Sequence, residues 1–183
     1  MRIATLAIAA IAVLGLAACA APKLDDDGRA ELELRGRTAL AEFRRNETVE
    51  RFFPDAYGYA IFPSVAKGAA GIGGARGTGL VYRGTGSNAE LTGSARMSQA
   101  TIGAQIGGQR YRELILFQDA LAYDRFMRSN FAFSAQASAV AADAGASADA
   151  AYEAGVMVFT MERGGLMVEA SIGGQDFNVE RID

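Results

Sequence analysis

"KGAAGIGGARGTGLVYR", Lys67 to Arg83, holds six glycines in seventeen residues, and its reading decides the fold. Glycine-rich stretches cradle phosphates when they turn from a strand into a helix, because the tight turn, the approach of the pyrophosphate and the helix packing each demand a residue without a side chain. That pattern fails here: counted from Gly71, the third glycine position is Arg76, and "TGLVYR" shows no helical period. A Walker loop fails too, since Lys67-Gly68 has the two residues in reversed order with no hydroxyl after them. The period is two. Ala69, Gly71, Gly73, Ala75, Gly77 and Gly79 take the odd positions, with Ile72, Arg76, Thr78, Leu80 and Tyr82 among the even ones. Successive strand side chains point to opposite faces, so the stretch is expected to be a strand with one face almost bare, open to close approach by another layer.

The same economy recurs downstream in "TIGAQIGGQ", in the Phe/Ala row of "FAFSAQASAVAA" and in "VEASIGGQDFNVE". Four smooth-faced segments imply tightly packed antiparallel strands. Between them "RELILF" reads as a buried strand, "DALAYDRFM" as a short helix begun by Asp119, and "DAGASADAA" as a turn. "VMVFTMERGGLMVEASI" reads as a hairpin reversing at Arg163 to Gly165. Upstream, Leu32, Gly36, Ala39, Leu40 and Phe43 share one face of an amphipathic helix that begins near Asp27, followed by a short helical piece, "ETVERFF". "AYGYAIFP" is expected to be a strand that Pro63 ends. The fold class expected is α+β, mainly antiparallel sheet with Gly/Ala-rich strands, an N-terminal amphipathic helix and one or two short helices.

The 183 residues open with "MRIATLAIAAIAVLGLAAC": one early arginine, an apolar run from Ile3 to Leu16, then small residues up to Cys19. The run is shorter than the roughly 18 to 20 residues that span a bilayer, and an acidic stretch follows, so it reads as a secretory signal. Leu16-Ala17-Ala18-Cys19 resembles the bacterial lipobox, and Cys19 is the only cysteine in the chain. A lone cysteine forms no internal disulfide, which points to an acylated anchor, palmitate among its chains; two or more acyl chains hold stably where one does not. The expected organisation is a signal peptide at 1–18, a lipidated tether at 19–27 and one domain at 28–183, with its core at 56–182. Ala20 in place of aspartate resembles outer-membrane lipoproteins, which places the domain on the periplasmic face of the outer membrane.

Charge is unevenly spread. Residues 19–55 carry a net −2, residues 56–118 a net +4 and residues 119–183 a net −6. A basic middle in an acidic exported chain suits an anionic lipid surface, while the absence of tryptophan and of a basic stripe argues against nucleic acid. Catalysis finds little support. The chain has no histidine, which removes Ser-His and Cys-His machinery and the commonest transition-metal ligand. Zinc has no evident site once Cys19 is acylated. Ser64-Val65-Ala66-Lys67 fits S-x-x-K, but the S-D-N and K-T-G partners of that chemistry are missing. Asp119 and Asp124 belong to a short helix, where caps and solvated faces account for them. No enzyme activity and no cofactor or metal are expected.

"AYGYAIFPSVAKGAAGIGGARGTGLVY", continued by "ATIGAQIGGQRYRELILFQDALAYDRFM" and closed by "GGLMVEASIGGQDFNVE", resembles the SYLF domain over residues 56–182. The chain departs from that family in having "AELTGSARMS" where a tryptophan is often found, and "ADAGASADA" in place of a G-P-x-G-R stretch. The resemblance implies a binding module. Eukaryotic SYLF domains bind phosphoinositide membranes, partly through an N-terminal amphipathic helix, and some fungal relatives bind actin. For an exported bacterial chain, the implied ligand is anionic phospholipid, and Lys67, Arg76, Arg83, Arg110 and Arg112 are the candidate lipid-binding residues. The alternative is a structural or protein-interaction module of the envelope, with a protein partner in place of lipid.

Overall fold

The computed structural model describes residues 25–128, 132–133, 152–162, 165–167 and 175–182. The leader, Cys19 and the "DAGASADAA" turn lie outside the described residues, as does most of "FAFSAQASAVAA". The architecture is α+β: three helices on a six-stranded antiparallel sheet.

Helix α1 spans Asp26–Phe43 and is capped by Asp25, whose carboxylate accepts from Gly28 N at 2.9 Å. Leu32, Gly36, Ala39 and Phe43 are its buried residues. Gly36 is the point of closest fit, since a Cβ there would already touch Ile61 and Leu80 of the sheet. Helix α2, Glu47–Phe52, is capped by Asn46, whose side chain accepts from Thr48 N and Val49 N. The cap satisfies backbone donors that the first turn leaves without partners.

Strand β1, Gly58–Arg83, and strand β2, Glu90–Phe117, form one antiparallel hairpin, in register from Gly58↔Phe117 to Arg83↔Glu90. The glycine-rich stretch is therefore strand, as its alternation requires. Pro63, by contrast, does not end the strand. Phe62 pairs with Glu113 and Val65 with Tyr111, so Pro63 and Ser64 together face Arg112. This is a bulge, and the proline sits where the ladder is already interrupted and its missing N–H costs nothing. A second irregularity, between Val81 and Tyr82, leaves Thr92 as the extra residue, and its hydroxyl donates to Val81 O at 3.1 Å.

The other edge of β2 is shared by two strands. β6 (Gln175–Arg181) pairs along Gly93–Gln99, and β4 (Val156–Glu162) pairs along Arg112–Phe117. β4 turns back into β5 (Gly165–Met167), with Glu162 opposite Gly165, which is the predicted hairpin. The short strand β3 (Ala132–Phe133) pairs with β6. Helix α3, Ala120–Met127, begins at Asp119 as the sequence predicts, the Asp119 carboxylate accepting from Ala122 N at 2.8 Å.

Alternation along the strands divides the core in two. Tyr59, Ile61, Leu80, Leu114, Leu116, Met157 and Phe159 meet α1 and α2, whereas Phe62, Val81, Ile115, Phe117, Val156 and Val158 meet α3. The hairpin also curls until the start of β1 lies on its end. A Cβ on Gly79 would stand 2.6 Å from Ile61 O and from the Phe62 ring, and one on Gly77 would stand 2.9 Å from Val65. Gly84 N donates to Tyr57 O at 2.8 Å, tying the two ends together. The bare face is thus where β1 packs against itself.

Candidate functional site

The curl leaves a cleft of about 740 Å³ beside the fold-back. Its lining comes from α1 (Leu32, Arg35), the bulge of β1 (Pro63, Ser64, Ala66), the far part of β1 (Arg76, Gly77, Thr78), β2 (Arg96, Met97, Ser98, Arg110) and β6 (Asp176, Phe177, Asn178). Four arginines and one lining carboxylate, Asp176, converge there, Arg35 being also ion-paired with Glu31 of its own helix at 3.7 Å. Leu32 of α1 is buried at its edge, while Met97 and Phe177 turn their side chains to the opposite face of the sheet, into the core beside α3.

Pairing in the sheet explains the convergence. Arg76 stands opposite Ser98, which stands opposite Asp176; two rungs along, on the same face, Thr78 stands opposite Arg96, which stands opposite Asn178. These six residues therefore form a polar checkerboard across three strands, with Arg76 and Arg96 diagonal to one another. Diagonal neighbours lie about 7–8 Å apart, within reach of long side chains, so the arrangement gathers positive charge on this face. Asp176, diagonal to Arg96, offsets only part of it. Arg110 enters from the returning half of β2, opposite Ala66. Arg76 and Arg110 are exposed and have no carboxylate partner among the described residues.

The five residues singled out from the sequence are distributed as follows. Arg76 and Arg110 share the cleft. Lys67 is half-buried next to Ala66, outside the lining. Arg112 is bonded to Glu42 of α1 at 2.5 Å, pinning the helix to β2, and lines a smaller recess of about 420 Å³ together with Arg110. Arg83 lies at the hairpin end, bonded to Glu90 at 2.5 Å, and that hydrogen bond raises its pKa above the ordinary arginine value. Sequence reasoning did not single out Arg35 and Arg96. Arg96 lay within the basic middle segment, and its parity with Arg76 across the hairpin was the signal; Arg35 joins only because α1 packs alongside.

Beneath the cleft lies a second polar feature. Gln99, Glu113 and Gln175 are buried, and Gln175 Nε2 donates to Glu113 Oε2 at 2.9 Å. Gln175 pairs with the outgoing half of β2, at Gln99, while Glu113 lies on the returning half. The bond thus clasps the curl shut. Burial raises the Glu113 pKa to about 7 against the opposing effect of the Gln175 bond, and Glu113 Oε1 has no hydrogen-bond partner among the described residues.

Among the described residues no helix is long and apolar enough to cross a membrane, and no group of three or more Cys, Asp or Glu is placed to hold a metal ion. Ser64 and Lys67 lie three residues apart on extended backbone, Lys67 on the side of Val65 and Ser64 on the side of Ala66, so the S-x-x-K spacing does not bring them together here.

Residues 98–181 match the family model described as Ysc84, Las17-binding protein actin regulator. The match runs from within β2 to the end of β6, and takes in Arg110 and the β6 wall of the cleft but none of Arg35, Arg76 and Arg96. The chain is also 28% identical over 162 residues to beta cell expansion factor A of Aeromonas veronii, covering 87% of this chain and 60% of that protein. It therefore spans about three fifths of that relative's length.

Proposed function

For a chain whose residues 98–181 match the Ysc84 (SYLF) family model, we propose a lipid-anchored envelope protein whose domain binds the surface of an anionic phospholipid bilayer. The observation that carries this reading is the cleft whose lining gathers Arg35, Arg76, Arg96 and Arg110 with one carboxylate, Asp176, Arg76 and Arg110 having no carboxylate partner among the described residues. Each basic group near an anionic bilayer contributes about 1 kcal/mol, so this set can hold the domain on its membrane in a salt-sensitive way. Acylation at Cys19 in the outer membrane would keep the cleft within reach, because the stretch from Cys19 to the α1 cap at Asp25 extends no more than about 20 Å. The family description names Las17 and actin regulation for its members; a periplasmic address leaves the lipid surface as the relevant ligand.

The test uses the mature chain carrying Cys19→Ser, so that no acyl chain contributes. It should sediment with vesicles containing phosphatidylglycerol or cardiolipin at low salt and not with phosphatidylcholine alone. Binding should fade at 1 M salt, where the Debye length shrinks to about 3 Å. Absence of binding to anionic vesicles at low salt would refute the reading and leave a protein-interaction module in its place. Binding that persists in salt but disappears when residues 28–45 are deleted would assign the contact to α1.

A further inference from the structure

We propose that the cleft is a discrete site for one phosphate ester, the headgroup of a single lipid or a free phosphate, and not one part of a diffuse basic surface; this rests on the membrane-binding reading above. Three observations separate the two pictures. The arginines come from four places in the chain, α1, the far part of β1 and both halves of β2, and converge on one concavity. Ordinary surface charge is spread out. The clearest exposed comparison, Arg83, already has its own carboxylate, whereas Arg76 and Arg110 have none among the described residues. Finally, Arg76 and Arg96 stand diagonal to one another on the same face of the hairpin, close enough for two guanidinium forks to reach the oxygens of one phosphate.

Guanidinium forks suit this ligand, since each presents two parallel N–H donors to a pair of phosphate oxygens. Asp176 disfavours a ligand that fills the cleft with carboxylates on every side, but leaves room for a phosphate bearing a neutral alcohol, whose hydroxyls it can accept from. The shared chemistry is thus a phosphate mono- or diester carrying a small polyol.

The experiment compares the mature Cys19→Ser chain with two charge-matched pairs built on it, Arg76→Gln/Arg110→Gln in the cleft and Arg45→Gln/Arg128→Gln outside it. The probes are glycerol 3-phosphate by titration calorimetry and phosphatidylglycerol vesicles by sedimentation. The cleft pair should lose at least tenfold in affinity for both probes, with the outside pair within threefold of the parent. Arg76→Lys/Arg110→Lys, which keeps the charge and loses the fork, should fall between them. Binding of glycerol 3-phosphate without vesicle binding would support the site and assign it to a free phosphate ester, sinking the membrane reading alone. Vesicle binding weakened equally by both pairs, with no heat from glycerol 3-phosphate, would overturn the discrete site and leave the membrane reading intact. All pairs lie on exposed side chains, and matching thermal melts confirm that lost binding is not lost folding.

Discussion

Glu113→Gln tests the clasp beneath the cleft. The carboxyl is fully buried, its pKa raised by burial from an ordinary 4.5 to about 7. Between those values the native chain keeps a proton that the unfolded chain has released, so the unfolded state binds fewer protons and stability falls as pH rises; above about pH 7 the loss is complete. At about 1.36 kcal/mol per pH unit, this window corresponds to an upper bound of about 3 kcal/mol. Glutamine preserves the shape and can still accept from Gln175 Nε2, while having no charge to desolvate. The variant should therefore match the wild type near pH 4.5 and exceed its stability by about 1 to 3 kcal/mol at pH 8. Urea unfolding at half-unit steps from pH 4.5 to 8 gives both curves, and their difference cancels the titration of every other group. A difference flat across that window, or a variant less stable at pH 8, would show that the Glu113 carboxyl is solvated when charged and that the clasp is not the proton-linked element inferred here.

Other perturbations probe other joints. Gly79→Val places branched carbons where even a Cβ would meet Ile61 O and the Phe62 ring at 2.6 Å; thermal melts should show a loss at or beyond the usual overpacking cost of about 1 to 3 kcal/mol. Gly68→Ala, with nothing within 4 Å of the new carbon, should melt at or above the wild-type temperature, and a loss there would count against the packing account. Asn46→Ala removes the cap of α2 and should cost about 1 kcal/mol in denaturant titrations; no change would mean that water serves Thr48 N and Val49 N equally well. Cys19→Ala should move the protein out of the membrane fraction or leave an unprocessed precursor, and mature wild-type protein found soluble with a free thiol would defeat the anchor.

Much of this fold is written locally. Asp119 announces α3 and the two-residue period of Ala69–Gly79 announces a strand, because caps and pleats act over a few residues. The extent of β1 was not legible. Pro63 signals a strand end in any local reading, and only the partner strand reveals that Phe62↔Glu113 and Val65↔Tyr111 leave the proline in a bulge. The cleft was half legible for the same reason. Arg76 and Arg110 belong to a basic segment visible in the sequence, but whether each finds a carboxylate depends on tertiary neighbours: Arg112 meets Glu42 from a helix seventy positions earlier, and Arg83 meets Glu90 across the hairpin turn. Glu113 escaped notice because a lone glutamate in "RELILF" carries no mark of its burial.

The central place of β2 governs the order in which the chain assembles. β1 and β2 can zip from Arg83↔Glu90 outward, each rung enclosing a loop little longer than the last, whereas β4 and β6 must arrive from distant parts of the chain to pair with the opposite edge. The hairpin therefore precedes the sheet. In the interval, the backbone groups of residues 93–99 and 112–117 on that edge await partners, and such an edge is a template for a second chain. That edge carries Arg96 in one stretch and Arg112 in the other, and charged residues are among the devices that blunt an edge against pairing with a copy. Arg96, which lines the cleft in the finished domain, is thus one of the charges on the edge that the unfinished one exposes.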